Sequence, residues 1–228
     1  MIRRDYFMRM AQELTQVLAR ILFLKKAQDY PRALDEIEKV LTQFWKLTPE
    51  QIKAFSLEHW IAQCRQEQGP MGEKLAVLAN LFIEQTELCI LQGDLPESQR
   101  IAALGLGLCL EAAASPDTMV SVDLLEKIEQ LIEQTEGFPK SAEVLKRLLS
   151  YYETRGMLSK AEDMVFDWLE TGDPNAPPEG KAFYERVARK SDEELEHHGL
   201  PRAEVEQGKE ELWKRAGTRR TSPSEAED

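Results

Sequence analysis

Apolar residues recur three or four apart through most of the chain, and each run stops at a proline, a glycine or a polar turn. Ile2, Tyr6, Met10, Leu14, Val17, Leu18, Ile21, Leu22 and Leu24 form one face of a long amphipathic helix over about 3–28. The turn AQDYP ends it, since a residue before proline is pushed out of the helical region while proline suits a helix's first turn. A second helix is predicted from Pro31 to about Trp45, with Ala33, Leu34, Ile37, Val40, Leu41 and Phe44 inward. Thr48 heads a short helix with Pro49 and Glu50 in its first turn, and Ser56 heads another carrying Leu57, Trp60, Ile61 and Cys64.

Beyond Gly69-Pro70 a long helix is predicted over about 71–92, with Leu75, Leu78, Ala79, Phe82, Ile83, Thr86 and Ile90 inward. After the turn at Gly93–Pro96 comes a helix over about 96–114, rich in small residues. Glycine weakens a helix interior, so Gly105 and Gly107 imply a neighbour packed closely enough to need backbone room. Further helices are predicted over about 120–135, 140–155 and 157–171, the last two joined at Arg155–Leu158. The stretch from Gly172 to Pro178 is the clearest break. Helices over about 178–190 and from Pro201 to about Arg215 follow, with Ser191–Glu194 as a cap and first turn. The expected organisation is a helical-repeat domain over 1–171, a Pro/Gly-rich loop over 172–180, C-terminal helices over 181–216 capping the same domain, and a disordered tail over 217–228.

Three of the turns align as QDYPRAL, GDLPESQ and GMLSKAE. Each has a large apolar residue two after the turn start (Tyr30, Leu95, Leu158) and a small one three later (Ala33, Ser98, Ala161). The pattern resembles the tetratricopeptide-repeat hairpin, whose turn reads Gly-Asp-Tyr-x-x-Ala. The resemblance implies an all-α fold of antiparallel hairpins stacked as a degenerate tetratricopeptide-like α-solenoid or right-handed superhelix. The chain departs from that family where Ile21, Thr86 and Leu149 replace its small residue in the first helix. The turns also lie about two repeat lengths apart instead of one. The whole chain further resembles an uncharacterised family of bacterial helical proteins that begins IRRDYFMRM and contains AEDMVFDWLE, a family with no established function.

Composition agrees with an all-helical chain and narrows the partners. A net charge of −12 and a pI near 4.9 argue against nucleic-acid binding, which needs a basic footprint. The charge is uneven: residues 1–28 carry six basic and two acidic side chains, leaving −16 on the rest. No segment reads as the unbroken apolar run that spans a bilayer, and the N-terminal apolar positions are spaced as a helix face, not as a signal. Cys64, Cys89 and Cys109 lack any CxxC spacing and fit a reducing cytoplasm.

No catalytic constellation emerges. His59, His197 and His198 have no metal-ligand spacing, and Gly105-Leu106-Gly107 lies within a helix, not between a strand and a helix. Neither metal nor cofactor is expected. The tetratricopeptide resemblance implies a concave surface lined by the first helix of each hairpin: Lys25 and Lys26, then Asn80, Ile83 and Glu87, then Lys146, Arg147 and Ser150. The family's clamp for a C-terminal carboxylate is not reproduced, since Leu18 and Leu22 hold two of its positions. The expectation is a non-catalytic adaptor or scaffold holding an unknown protein or peptide on a helical-repeat surface. The alternatives are a homodimer formed through residues 2–24 and, more remotely, an enzyme without a recognisable motif.

Overall fold

The structure, a computed structural model, describes residues 2–66, 69–116, 118 and 121–219, with side chains from Glu13 to Arg215. Among these residues twelve helices and no strand occur, so the fold is all-α. The chain divides into two compact units, 1–140 and 141–228. The first holds α1 (Ile2–Lys26), α2 (Tyr30–Trp45), α3 (Pro49–Ala54), α4 (Leu57–Gln66), α5 (Met71–Gln92), α6 (Leu95–Ala114) and α7 (Val122–Gln134). The second holds α8 (Ala142–Thr154), α9 (Leu158–Glu170), α10 (Ala176–Val187), α11 (Asp192–His197) and α12 (Arg202–Arg219).

Three hairpins carry the packing: α1 with α2, α5 with α6, and α8 with α9. Their turns share one backbone device. Gln28, Gly93 and Gly156, the first residues of the three aligned turns, all adopt the left-handed conformation, at φ of 60°, 79° and 70°. Only the first departs from glycine, and glutamine meets a steric cost there that glycine does not. The small residues Ala33, Ser98 and Ala161 are buried where the second helix presses on the first. Ile21, Thr86 and Leu149 are buried opposite, so the first helices keep large side chains at the seam.

In the first unit α5 is central, packing against α1, α2, α4 and α6. Between Leu75 and Gln92 only Glu84 and Glu87 are charged. By length and composition it is long and apolar enough to cross a bilayer, although Asn80, Glu84 and Glu87 break its apolar run. Here most of its apolar residues bury against neighbouring helices, Leu75, Leu78, Leu81, Phe82 and Leu88 almost completely, whereas Ile90, expected inward, and Leu91 are about half exposed at its end. Trp60 of α4 stacks edge-on against Phe82 with centroids 5.2 Å apart. Gly107 gives α6 its close approach to α4, because a Cβ there would lie 2.3 Å from a methyl of Leu57. Gly105 is different, with its nearest neighbours at ordinary contact distance, 3.6–3.9 Å, so the close packing inferred for both glycines holds at Gly107 alone. Lys74 is 2% exposed, and its ammonium donates to the carbonyl of Cys64 in the last turn of α4.

The second unit differs from the expected organisation in two ways. The third hairpin, α8 with α9, belongs with the C-terminal helices and not with residues 1–140. The loop expected over 172–180 closes by Asn175, because α10 starts at Ala176. Pro177 and Pro178 sit in a first turn, where a missing N–H costs nothing, and Gly180 is buried inside the helix. Asp173 organises the shortened loop, accepting from Trp168 Nε1 at 3.0 Å and from the backbone of Asn175 at 2.9 Å. Arg186 of α10 grips Glu153 of α8 through two bonds of 2.6 and 2.7 Å. The caps expected at Thr48 and Ser191 form, each as a reciprocal capping box with Gln51 and Glu194. Helix α12 runs on to Arg219, into the expected tail; the rest of that tail lies outside the described residues, as do the side chains of Ile2, Tyr6 and Met10.

Candidate functional site

The surface expected from the first helices divides between the units, with Lys25, Lys26, Asn80 and Glu87 on the first and Lys146, Arg147 and Ser150 on the second. In the first unit two of these residues meet. Lys25 Nζ donates to Glu87 Oε2 at 2.6 Å and to Glu84 Oε2 at 2.7 Å, clasping the end of α1 to the middle of α5. Partial burial opposes charge on Lys25, but the pull of the two carboxylates outweighs it and holds the ammonium pKa above its usual range. Lys25 is therefore engaged within the fold. Helical register puts Leu22 one turn before it on α1 and Leu91 one turn after Glu87 on α5, and both are about half exposed. Lys26 is exposed and Asn80 half-buried. On α8, Lys146 lies 3.9 Å from Glu179, Arg147 donates to the carbonyl of Glu143 at 2.9 Å, and Ser150 donates to that of Lys146 at 3.3 Å.

A larger concavity, about 720 Å³, opens elsewhere on the first unit, among α2, α3, α5 and the start of α6. Its floor is aliphatic: Ile37, Leu41 and Ile52 are buried there, with Leu34 half-buried beside them. Its rim is acidic. Asp35 and Glu38 sit a turn apart on the exposed face of α2, and Asp94 and Glu97 stand at the start of α6. Glu97 is tied to Arg100 by bonds of 2.7 and 2.8 Å, and Asp94 Oδ1 caps α6 by accepting from Glu97 N at 3.2 Å. Neither Asp35 nor Glu38 has an ion-pair partner among the described residues, and Lys53 is the remaining cation of the lining. Gln85 Oε1, also in the lining, is buried without a hydrogen-bond donor.

Cys89 lies in the same wall, 4% exposed. Burial, with the charges of Glu97 and Asp94 behind it, pushes its thiol up to about 11. It is therefore protonated at neutral pH and a poor nucleophile. Among the described residues no cluster of three or more His, Cys, Asp or Glu has metal-site geometry. The cleft was not visible as a site in sequence. Its carboxylates occupy the ordinary polar faces of amphipathic helices, and only folding brings the two stretches, 35–38 and 94–97, to one rim.

The model of a family of unknown function, DUF6483, matches residues 1–217, nearly the whole chain. The chain belongs to the DUF6483 family. No curated protein and no solved structure matches it. The second unit of this DUF6483 protein has a smaller groove of about 370 Å³ along α10 and α12, walled by Trp213 and flanked by Lys181, Arg189 and Lys209. Lys181 stands 5.7 Å from the centre of the Trp213 ring. The histidines of the DUF6483 chain have structural surroundings: Ser56 Oγ lies 2.9 Å from His59 Nδ1, and His198 packs against Gly156 at the α8–α9 turn.

Proposed function

We propose that this DUF6483 protein is a non-catalytic interaction module, an adaptor or scaffold that holds a protein partner on its first unit. The observation that carries the reading is the cleft: an aliphatic floor beneath Asp35 and Glu38, two carboxylates with no counter-ion among the described residues, a combination suited to binding. The protonated thiol of Cys89 gives that site no activated nucleophile. Leu22 and Leu91, beside the Lys25 clasp, add apolar contact surface on the same unit.

The test is affinity capture from native lysate with crosslinking, comparing the natural chain with Leu34→Trp, which fills the cleft from its half-buried wall. The expected result is a specific partner, crosslinked to residues around the cleft and lost with the variant. Recovery of no specific partner, or equal recovery by both chains, rejects the reading.

Self-association is the second reading, favoured by the unequal lengths of the first hairpin. Helix α1 has 25 residues and α2 has 16. At about 1.5 Å per residue α1 outreaches its hairpin partner by roughly 13 Å, along a segment whose sequence keeps apolar residues at helical spacing. Light scattering decides it: a dimer that dissociates on Tyr6→Glu with Met10→Glu supports the reading, and a monomer at high concentration rejects it.

A further inference from the structure

Three features of the cleft call for the same ligand chemistry. The first is charge: Asp35, Glu38, Asp94 and Glu97 face it against Lys53 and Arg100, and Arg100 is already spent on Glu97. The second is Gln85 Oε1, a buried acceptor in the lining with no donor among the described residues, which is costly to leave unmade and would gain a donor from an occupant's N–H once the side chain turns toward the cleft. The third is the aliphatic floor of Ile37, Leu41 and Ile52, which rewards burial of a side chain and not of an ion alone. Leu95, between the lining residues Asp94 and Pro96 but not itself in the lining, is 55% exposed and offers apolar contact to an occupant longer than the pocket.

We infer that the cleft of the first unit binds an extended segment of a partner protein in which a lysine or arginine alternates with aliphatic residues. The cation lies against Asp35, Glu38 and Asp94, the aliphatic side chains fill the floor, and a main-chain or side-chain N–H reaches Gln85. This assignment rests on the interaction reading and names the chemistry of its partner. Burial first, and then the charges of Glu97 and Asp94 against that of Arg100, hold the Cys89 thiol in the cleft wall protonated, the direction a negative rim imposes.

The probe is a short fluorescein-labelled peptide alternating leucine and lysine, with a leucine–glutamate peptide as its counterpart, read by fluorescence anisotropy at moderate salt. The full chain is expected to bind the lysine peptide in preference to the glutamate one. Asp35→Asn with Glu38→Gln, both exposed and therefore tolerated by the fold, is expected to weaken binding about tenfold or more. Glu126→Gln with Glu129→Gln, an equal charge change on the exposed face of α7, is expected to leave it within about twofold. Equal losses in the two double variants overturn the inference, since bulk charge then explains binding. So does binding of the glutamate peptide, binding of neither peptide, or displacement by spermidine as effective as by unlabelled peptide, which marks a site for small amines. A lysine peptide that fails while Leu34→Trp still abolishes partner capture removes this assignment alone; loss of both results removes the interaction reading with it.

Discussion

Tyr184 of α10 donates its hydroxyl to Glu162 Oε1 of α9 at 2.5 Å, and the backbone of Gly208 on α12 lies directly over that bond. A Cβ at Gly208 would stand 2.2 Å from both oxygens, so three helices of the second unit meet where no side chain fits. Burial pushes the Glu162 pKa up, the Tyr184 bond opposes this, and Asp163 and Glu204 add to the rise. An acid whose folded pKa is raised contributes stability below its unfolded pKa, about 4.3, and loses it as pH rises through the folded value. Glu162→Gln keeps an acceptor for Tyr184 without the charge. Relative to the natural chain, it is expected to melt higher at pH 7.5, with the difference shrinking toward pH 4. Thermal melts of both proteins across that range are the check.

The two glycines of α6 should respond oppositely to alanine. At Gly105 the new methyl meets only ordinary contacts, so Gly105→Ala gains helix propensity and stabilises by up to about 1 kcal/mol. At Gly107 it collides with Leu57, and overpacking of that kind costs about 1–3 kcal/mol. Urea unfolding of the two variants measures both signs.

Removing the clasp between α1 and α5 should loosen the first unit. Lys25→Met leaves Glu84 and Glu87, one turn apart, without the cation that bridges them. The expected loss is about 1–2 kcal/mol at low ionic strength, between values for exposed pairs and for bonds to charged groups. High salt should narrow the gap between variant and natural chain, which denaturant titrations with and without added salt would show.

Thiol chemistry offers a probe of both interior and cleft. Cys64, Cys89 and Cys109 are all buried, and burial pushes Cys89 up to about 11 and Cys109 up to about 12. The native protein is expected to resist Ellman's reagent at neutral pH and to release all three thiols in denaturant. Above neutrality Cys89 should react first, because it borders the cleft. Reaction of Cys109 ahead of Cys89 contradicts this order.

Much of the fold was legible because its punctuation is chemical. Pro31, Gly93 and Gly156 mark hairpin turns, and Thr48 and Ser191 announce capping boxes, through local rules that tertiary contacts leave standing. Less legible was whatever depends on a distant neighbour. Gly105 and Gly107 look alike in sequence, and only Leu57, fifty residues away, separates them. Pro177 and Pro178 read as a break, yet they initiate α10. Lys25 and Glu87 were expected on one surface and do meet, but as partners of each other. The cleft was hidden more completely, since Asp35, Glu38 and Asp94 become a rim only when α2 and the α5–α6 turn come together.

Lys74 gives the first unit a built-in clock. Its ammonium is sealed against the Cys64 carbonyl, whereas Lys26, Lys53 and Lys146 stand in solvent. An amine-reactive reagent will tag those three within moments, but it reaches Lys74 only when α4 and α5 part. The tempo at which that one position acquires a label, followed by mass spectrometry, thus times the opening of the interior in undisturbed protein, and slowing of that tempo in cell extract would betray a bound companion.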